Sequence, residues 1–139
     1  MVFFNINIHG LKSNKGFLCG SDDPFFYIER ARSENQDEFL KVIQSEPVRK
    51  SLNPTWTNQM YAAKEISNGD LDCPLRFKVY SWRNSGYHKF FGEMQTSLTN
   101  IKRGQTVYSL ADSSGNDIGS QFEFSNFRFK FCFGRNKIR

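Results

Sequence analysis

The sequence has no apolar run close to the roughly 18 residues of a membrane-spanning helix, so a transmembrane helix is excluded. It also shows no secretory leader, since residues 1–8 alternate apolar with polar side chains and carry no charged start. Alanine and leucine are sparse, whereas phenylalanine occurs fifteen times, and this balance favours a β-rich fold. The 139 residues predict one domain with a real core.

Cysteine is scarce and shows no pattern. Cys19, Cys73 and Cys132 form an odd number without metal-ligand spacing, so we expect reduced thiols in the cytoplasm rather than a disulfide framework. Catalytic patterns are missing too: neither His9 nor His88 belongs to a nucleophile–base arrangement, and no glycine-rich phosphate loop occurs. The sequence therefore favours a protein that is not an enzyme and has no cofactor.

The net charge of +5 favours anionic partners of any kind: lipid headgroups, nucleic acid or an acidic protein. Residues 127–131 interleave phenylalanine with arginine and lysine, a pattern seen in single-strand nucleic-acid binding. In a β-strand, however, the phenylalanines share one face and the cations share the other. We interpret the phenylalanines as core residues and expect no nucleic-acid partner.

Alternation with a period of two residues predicts about eight strands and no helix longer than a turn or two. We expect them at residues 2–8, 25–31, 39–43, 57–66, 75–82, 90–98, 107–110 and 122–133. The last strand slips by one residue at Ser125–Asn126, where a bulge would keep both halves facing the core. This spacing is typical of a β-sandwich. We expect a single domain over residues 1–134 and a basic tail over residues 135–139.

Three short motifs occur in chain order between these strands: Ser21-Asp22-Asp23-Pro24-Phe25, Ser51-Leu52-Asn53-Pro54-Thr55-Trp56 and Asn84-Ser85-Gly86-Tyr87-His88-Lys89-Phe90-Phe91-Gly92-Glu93. They resemble the exit from the first calcium loop, the turn at the second loop and the third loop of C2 domains. The third motif is most similar to the second C2 domain of copines. The resemblance covers roughly residues 11–101 and implies an all-β, eight-stranded antiparallel C2-type β-sandwich with three functional loops at one end.

Copines carry another C2 domain before this one and a larger von Willebrand A-like domain after it. Neither is present in the sequence, so the resemblance implies an excised fragment or a standalone relative. It also implies a monomeric cytoplasmic module that associates peripherally with membranes.

The resemblance locates a calcium site whose carboxylates are mostly missing. Calcium takes about six to eight oxygen ligands. In the first loop, Asp23, or Asp22 given the doubled aspartate, takes the position before Pro24. The companion carboxylate would fall on Asn14, Lys15 or Phe17, none of which is acidic. Asp22 and Asp23 are the remnant of the site.

In the third loop, the positions of three calcium-binding aspartates are taken by Ser81, Arg83 and Lys89. A fixed cation beside a divalent ion is unfavourable by several kcal/mol, so we expect calcium not to bind. One hypothesis is that the Lys89 ammonium replaces calcium and pairs with Asp23. The alternative is that Arg83 and Lys89 are simply solvated loop residues.

Basic and apolar residues of these loops form a predicted membrane-binding edge. Its members are Lys12, Lys15, Phe17, Leu18, Arg49, Lys50, Arg83, Tyr87 and Lys89. Each lysine or arginine close to an anionic leaflet contributes about 1 kcal/mol, and a tyrosine suits the headgroup boundary. The alternatives are that Phe17 and Leu18 pack beneath their loop and that the cations form an ordinary solvated surface.

From this predicted membrane-binding edge we hypothesise that the protein binds anionic phospholipid membranes without calcium. Two alternatives stay open: a protein–protein interaction adaptor, and a copine-type calcium-dependent domain that retains an ion through Asp22 and Asp23. Some C2 domains bind phosphoinositides in a lysine-lined groove between strands. By resemblance, that groove falls near Tyr27, Glu29, Gln44 and Glu46, none of which is basic, so we do not expect such a site.

Overall fold

The computed structural model describes residues 1–12 and 22–130. Within them, the chain forms β1 (Val2–His9), β2 (Pro24–Ala31), β3 (Phe39–Gln44), β4 (Thr55–Tyr61), α1 (Ala63–Ser67), β5 (Leu75–Ser81), β6 (Lys89–Thr96), α2 (Leu98–Lys102), β7 (Val107–Ala111) and β8 (Asp117–Phe129). Neither of these two short helices has the length and apolar character needed to cross a membrane.

The eight strands form one antiparallel sheet in the order β3-β2-β5-β6-β7-β8-β1-β4. β6 and β7 share a single residue pair, Glu93 with Ala111, whereas the other neighbours pair along several residues. The sheet bends over at this weakly paired seam, so two four-stranded halves face each other. The predicted eight-stranded antiparallel sandwich is confirmed.

Alternating apolar residues fill the space between the two halves. In β1, every second residue is buried: Val2, Phe4, Ile6 and Ile8. β5 follows the same rule with Leu75, Phe77 and Val79. The Phe124 ring lies 5.5 Å from that of Phe4 and 5.3 Å from that of Phe77, in edge-to-face geometry. The phenylalanine-rich composition therefore supplies an interlocked aromatic core.

The slip in the alternation of β8 is a β-bulge, as predicted. Phe3 pairs with Arg128 and Asn5 pairs with Ser125. Between these two pairs β8 advances by three residues while β1 advances by two, so β8 contains one extra residue. Asn126 takes a φ of 51°, a left-handed value that asparagine tolerates better than most residues. The bulge restores the inward direction of the phenylalanines that follow.

Those phenylalanines face the core and the cations do not. Phe127 stacks on Phe4 with ring centroids 6.2 Å apart, and Phe129 also packs against the core. Arg128 is exposed. The predicted separation of rings from cations is confirmed as far as residue 130, while residues 131–139, with the predicted basic tail, lie outside the described part.

Three predicted strands have wrong boundaries. The strand predicted at residues 90–98 ends at Thr96, and Leu98 begins α2. The strand predicted at residues 57–66 runs from Thr55 to Tyr61 and is followed by α1. Alanine, lysine and glutamate at positions 63–65 favour a helix over a strand. β8 begins at Asp117 rather than Phe122, because its first residues pair with β7 in a hairpin.

Antiparallel pairing brings alternate connections to the same end of the sandwich. These are loop one (residues 10–23), loop two (45–54) and loop three (82–88), together with the β7–β8 turn (112–116). Hereafter this is called the loop end. The predicted clustering of three loops is confirmed for their described residues, and the β7–β8 turn joins them unpredicted.

Candidate functional site

Loop three is a compact turn held by a histidine. The backbone N–H of Gly86, whose φ is +87°, donates to the Arg83 carbonyl at 3.0 Å. The Arg83 backbone N–H donates to Nδ1 of His88 at 2.9 Å, which makes Nδ1 the acceptor nitrogen of that ring. The His88 ring also lies 4.4 Å from Trp82 and 4.9 Å from Phe25. His88 therefore shapes the loop.

A buried carboxylate of loop one meets the arginine of loop three. Asp22 is 2% exposed, and its Oδ1 accepts a hydrogen bond from the Ser81 hydroxyl at 2.8 Å. The Arg83 Nη1 donates to the same hydroxyl oxygen at 2.9 Å and lies 3.7 Å from Asp22 Oδ1. A buried charge is tolerated when it is paired and hydrogen-bonded. A guanidinium thus stands beside the carboxylate in the region where the C2 resemblance places calcium.

The neighbouring aspartate ties loop one to loop two. Asp23 Oδ1 accepts the backbone N–H of Lys50 at 2.8 Å, and Lys50 takes a φ of 53° at this position. The Asp23 carbonyl accepts the N–H of Trp82 at 2.9 Å, and the Asp22 carbonyl accepts the N–H of Ser51 at 3.1 Å. Together, the two aspartates connect all three loops.

The structure places Arg83, which the sequence argument did not assign to this role, beside the remnant carboxylate Asp22. Lys89 is the first residue of β6 and pairs with Ser81. Its ammonium lies 5.0 Å from the centroid of the Phe91 ring. Pairing of Lys89 with Asp23 stays a prediction. Across residues 1–12 and 22–130, no three histidine, cysteine, aspartate or glutamate side chains are grouped so that they could hold a metal ion.

The predicted membrane-binding residues that the structure describes lie at the loop end. Lys12 follows β1, Arg49 and Lys50 are exposed on loop two, and Arg83 and Lys89 are partly buried at the two ends of loop three. The predicted residues Lys15, Phe17 and Leu18 lie outside the described residues.

Two apolar side chains project from this end. Tyr87, in loop three, is 88% exposed. Leu52, in loop two, is 37% exposed, although the loop beneath it is fixed: its carbonyl accepts the N–H of Leu11 at 3.0 Å. Leu52 was missed at the sequence level because it was interpreted only as part of a turn.

Acidic residues also reach the loop end, and the sequence argument did not place them there. Asp112 and Asp117 bracket the β7–β8 turn, and Glu46 lies at the start of loop two. The Ser/Gly-rich run at residues 113–115, directly after β7, is the signal that could have located this hairpin. Among the described residues, the β7–β8 turn therefore adds negative charge to an end where Lys12, Arg49 and Lys50 are exposed cations.

A second set of cations lies on the outer face of β2, β3 and β5. Arg76 Nε is 2.7 Å from Glu29 Oε1, and Lys78 Nζ is 4.0 Å from Glu29 Oε2. Lys41 Nζ lies 4.0 Å from the centroid of the Tyr27 ring. Cross-strand register brings these residues together, which the strand sequences alone do not reveal. Glu29 and Tyr27 already contact these cations, so part of the positive charge on this face is neutralised within the sheet.

Cys73 and His9 both lie where their neighbours in the fold account for them. Cys73 is buried with a free thiol, and burial is the main cause that raises its pKa. Cys19 and Cys132 lie outside the described residues. His9 Nε2 lies 3.2 Å from Glu123 Oε1 on the sheet surface.

Comparison with known proteins identifies the same architecture. The family model described as "C2 domain" matches residues 5–111. Copine-A of Dictyostelium discoideum is 25% identical over 120 residues, which cover 86% of this chain but only 20% of that protein, so the chain spans about a fifth of this curated relative. Among solved structures, BON1-C2B superposes with a TM-score of 0.77 at 18% identity, covering 94% of this chain and 91% of that one. A C2 domain of plant extended synaptotagmin 1 gives a TM-score of 0.53 at 21% identity, with 88% and 91% covered.

Proposed function

The chain belongs to the C2 domain family, and from this premise we propose that it is a calcium-independent module that docks on anionic phospholipid membranes through its loop end. C2 domains are generally binding modules without catalytic activity, and they commonly bind membranes or proteins. The proposal includes peripheral association with a membrane from the cytoplasm.

The observation that carries the proposal is the position of Arg83 beside Asp22. Calcium bound at that carboxylate would lie near a guanidinium whose nitrogen is 3.7 Å from the same oxygen. At an effective dielectric constant of about 20, a unit charge repels another by about 4 kcal/mol at 4 Å, and a divalent ion doubles that cost. Arg83 and Ser81 of loop three contact Asp22 of loop one. In this proposal, these contacts join the two loops in place of a calcium ion.

The composition of the loop end supports a lipid surface as its partner. Arg49, Lys50 and Lys89 offer positive charge without a metal, and each contributes about 1 kcal/mol near an anionic leaflet. Tyr87 and Leu52 project from the same end and supply side chains suited to the headgroup boundary. Asp112 and Asp117 reduce the attraction on one side, which predicts docking by loops two and three first.

Vesicle co-sedimentation tests the proposal. We expect binding to phosphatidylserine-containing vesicles in EGTA at low salt, weaker binding at high salt because surface charges are screened, and no gain when calcium is added. Replacing Lys50 by glutamate should weaken binding by more than tenfold, because it reverses a charge at the docking edge. Lys64→Glu, in α1 at the opposite end of the sandwich, makes the same charge change and should leave binding unchanged.

Two results would redirect the assignment. Enhancement by calcium would indicate copine-type calcium-dependent binding through Asp22 and Asp23. It would overturn the proposal that Arg83 prevents calcium from binding beside Asp22. No binding to phosphatidylserine vesicles at low salt would sink the membrane proposal and favour a protein-binding adaptor.

A further inference from the structure

A second aromatic cluster lies on the outer face of the half formed by β3, β2, β5 and β6, apart from the core. In β2, Phe26 and Ile28 belong to the core, whereas Phe25 and Tyr27 point to the outer face. The solvated face of an antiparallel sheet normally carries polar residues. Phe25 is nevertheless fully buried. Four rings cover it at centroid distances of 5.4 Å (Tyr27), 5.9 Å (Tyr80), 5.3 Å (Trp82) and 4.9 Å (His88).

Three half-buried rings of this face form a row, hereafter the aromatic row: Tyr27 of β2, Tyr80 of β5 and Phe90 of β6. The ring centroids of Tyr27 and Tyr80 are 5.0 Å apart, and those of Tyr80 and Phe90 are 5.3 Å apart. Neighbouring strands lie about 4.8 Å apart, so a row across three strands spans about 10 Å. Phe25 supports two of the rings from beneath, which preorganises the row for a ligand.

Two carboxylates act on the middle of the row. Burial is the main cause that raises the pKa of the Tyr80 hydroxyl, and the charges of Glu29 and Glu93 are among those that raise it further, against Arg76, which lowers it. The hydroxyl therefore keeps its proton and can donate a hydrogen bond to a carbonyl oxygen of a ligand. The same carboxylates repel a chain of phosphates and attract a basic side chain.

The lysines of this face are already engaged by it. Lys41 Nζ lies 4.0 Å from the centroid of the Tyr27 ring, in cation–π geometry. Lys78 Nζ lies 4.0 Å from Glu29 Oε2 and 5.9 Å from the centroid of the Phe90 ring. Rings and a carboxylate thus receive much of this positive charge, which favours an uncharged or weakly basic ligand over a nucleic acid.

We infer that the aromatic row binds a proline-rich segment of a partner protein in the polyproline II conformation, with a basic residue beside it. Such segments dock on grooves lined by aromatic side chains, and their preformed helix has little entropy to lose. One turn of this helix takes three residues and about 9 Å, close to the span of the row. Prolines one turn apart would therefore meet Tyr27 and Phe90, while Tyr80 donates to the peptide backbone between them.

The row lies on the face of the sheet rather than at the loop tips, so the inference goes beyond membrane docking and does not depend on it. Tryptophan fluorescence can follow peptide binding. Of the two tryptophans, Trp56 is 5% exposed in the core, whereas Trp82 contacts Phe25 under the row. A change in emission on adding peptide therefore reports on the row.

The probe is a peptide of six prolines followed by arginine, which should change the emission saturably. Six glycines followed by arginine give the same length and charge without the preformed helix, and this peptide should cause no saturable change. Six prolines followed by glutamate should bind about fivefold more weakly than the arginine peptide, because Glu29 and Glu93 then repel the flanking residue.

Substitutions place the binding on the row. Tyr27→Leu and Phe90→Leu keep an apolar side chain but remove a ring, and each should weaken binding of the proline–arginine peptide by about fivefold. Tyr80→Phe removes only the hydroxyl and should weaken it by about threefold. This variant keeps the test valid if loss of a ring disturbs the sheet, which amide NMR spectra would reveal. Tyr87→Leu makes the same change at an exposed tyrosine of loop three and should leave binding unchanged.

Three results would each refute the inference: no saturable binding of the proline–arginine peptide, equal binding of the glycine peptide, or unchanged affinity in both Tyr27→Leu and Tyr80→Phe. An oligouridylate probes the competing ligand class. Binding of that RNA that Tyr27→Leu abolishes would mean that the rings stack on nucleotide bases, and would overturn the peptide assignment. Lys50→Glu should weaken vesicle binding and leave peptide binding unchanged, so failure of this inference is distinguishable from failure of membrane docking.

Discussion

The Arg83 guanidinium and the Asp22 carboxylate lie 3.7 Å apart, and the Ser81 hydroxyl is hydrogen-bonded to both. The Asp22 side chain is fully buried, while that of Arg83 is 27% exposed. In such a pair, loss of one partner is costlier than loss of both, because the remaining charge stays away from water and loses the attraction of that partner.

Replacing Arg83 by glutamine should therefore destabilise the fold by about 2 kcal/mol, a value below that of a fully buried pair because the arginine is partly exposed. Urea unfolding measures the change. The double variant Asp22→Asn/Arg83→Gln should recover at least half of it, since no buried charge remains. Arg128→Gln, at an exposed position on β8, is the control for the loss of an arginine. An unchanged midpoint for Arg83→Gln would mean that the pair does not stabilise the loops.

Restoring carboxylates to loop three should convert it into a calcium site. The triple variant Ser81→Asp/Arg83→Asp/Lys89→Asp removes two cations and places three carboxylates near Asp22 and Asp23. We expect a lower Tm than that of the original chain in EGTA, because like charges repel, and a rise in Tm with added calcium. Calorimetric titration measures the binding.

The triple asparagine variant at the same positions is the control for loss of the cations alone, and it should bind no calcium. If the aspartate variant also fails to bind, the backbone of the loops no longer fits the ion. Charge replacement would then be an incomplete explanation of the missing site.

The sequence predicted the fold well because its signals are local. Alternation in β1 and β5, the slip at Ser125–Asn126 and the turn around Pro54 each depend on neighbours in the chain. The resemblance then supplied the arrangement of the loops. The error at residues 57–66 arose where a strand passes directly into a helix with no glycine or proline to mark the boundary.

The contacts of the site were less predictable because they depend on distances between loops. Lysine at position 89 and arginine at position 83 are equivalent by charge count, and only the fold places the guanidinium at Asp22. Asp112 was missed for the same reason, since it is distant in sequence from Lys12 and Lys89 yet lines the same cavity. Pairing of β6, β7 and β8 is what brings that turn to the loop end.

Gly92 should be intolerant of any side chain. A Cβ there would meet Ile118 Cδ1 at 2.9 Å, the Ala111 carbonyl oxygen at 3.1 Å and Leu110 Cβ at 3.2 Å. Gly92→Ala should lower the free energy of unfolding by about 1–3 kcal/mol, as overpacking commonly does. Adding Ile118→Val removes one of the clashing atoms and should restore part of the loss in urea unfolding. Complete rescue would contradict the role of the Ala111 carbonyl, which cannot move aside without disturbing the seam between β6 and β7.

Stability should fall at high pH because of Tyr61. Burial, and secondarily the negative charge of Glu65, raise the pKa of Tyr61 to about 12, against about 10 in an unfolded chain. Between these values, the unfolded chain loses the proton that the folded chain keeps, so the stabilisation is complete below pH 10 and is lost as the pH rises toward 12. Two pKa units correspond to about 2.7 kcal/mol, and partial exposure of the ring reduces the expected loss to about 2 kcal/mol.

Urea midpoints at about pH 9 and about pH 11.5 measure that loss. Tyr61→Phe loses the hydrogen bond to Gln59 Oε1 at both pH values, so the difference between the two midpoints isolates the titration. It should be smaller in the variant than in the original chain. Equal differences would show that other groups cause the alkaline loss of stability.

Tyr87 should contribute to membrane affinity without contributing to stability. Its side chain is 88% exposed at the tip of loop three, so Tyr87→Ser removes almost no buried surface and should leave the urea midpoint unchanged. If loop three enters the headgroup region, the loss of the ring should weaken binding to phosphatidylserine vesicles by about fivefold, corresponding to roughly 1 kcal/mol of interfacial burial. Val107→Ser is the matched control, because Val107 is also an exposed apolar residue but lies at the opposite end of β7 from the loops. Equal binding by the two variants would mean that loop three does not touch the membrane, and docking would then depend on loop two.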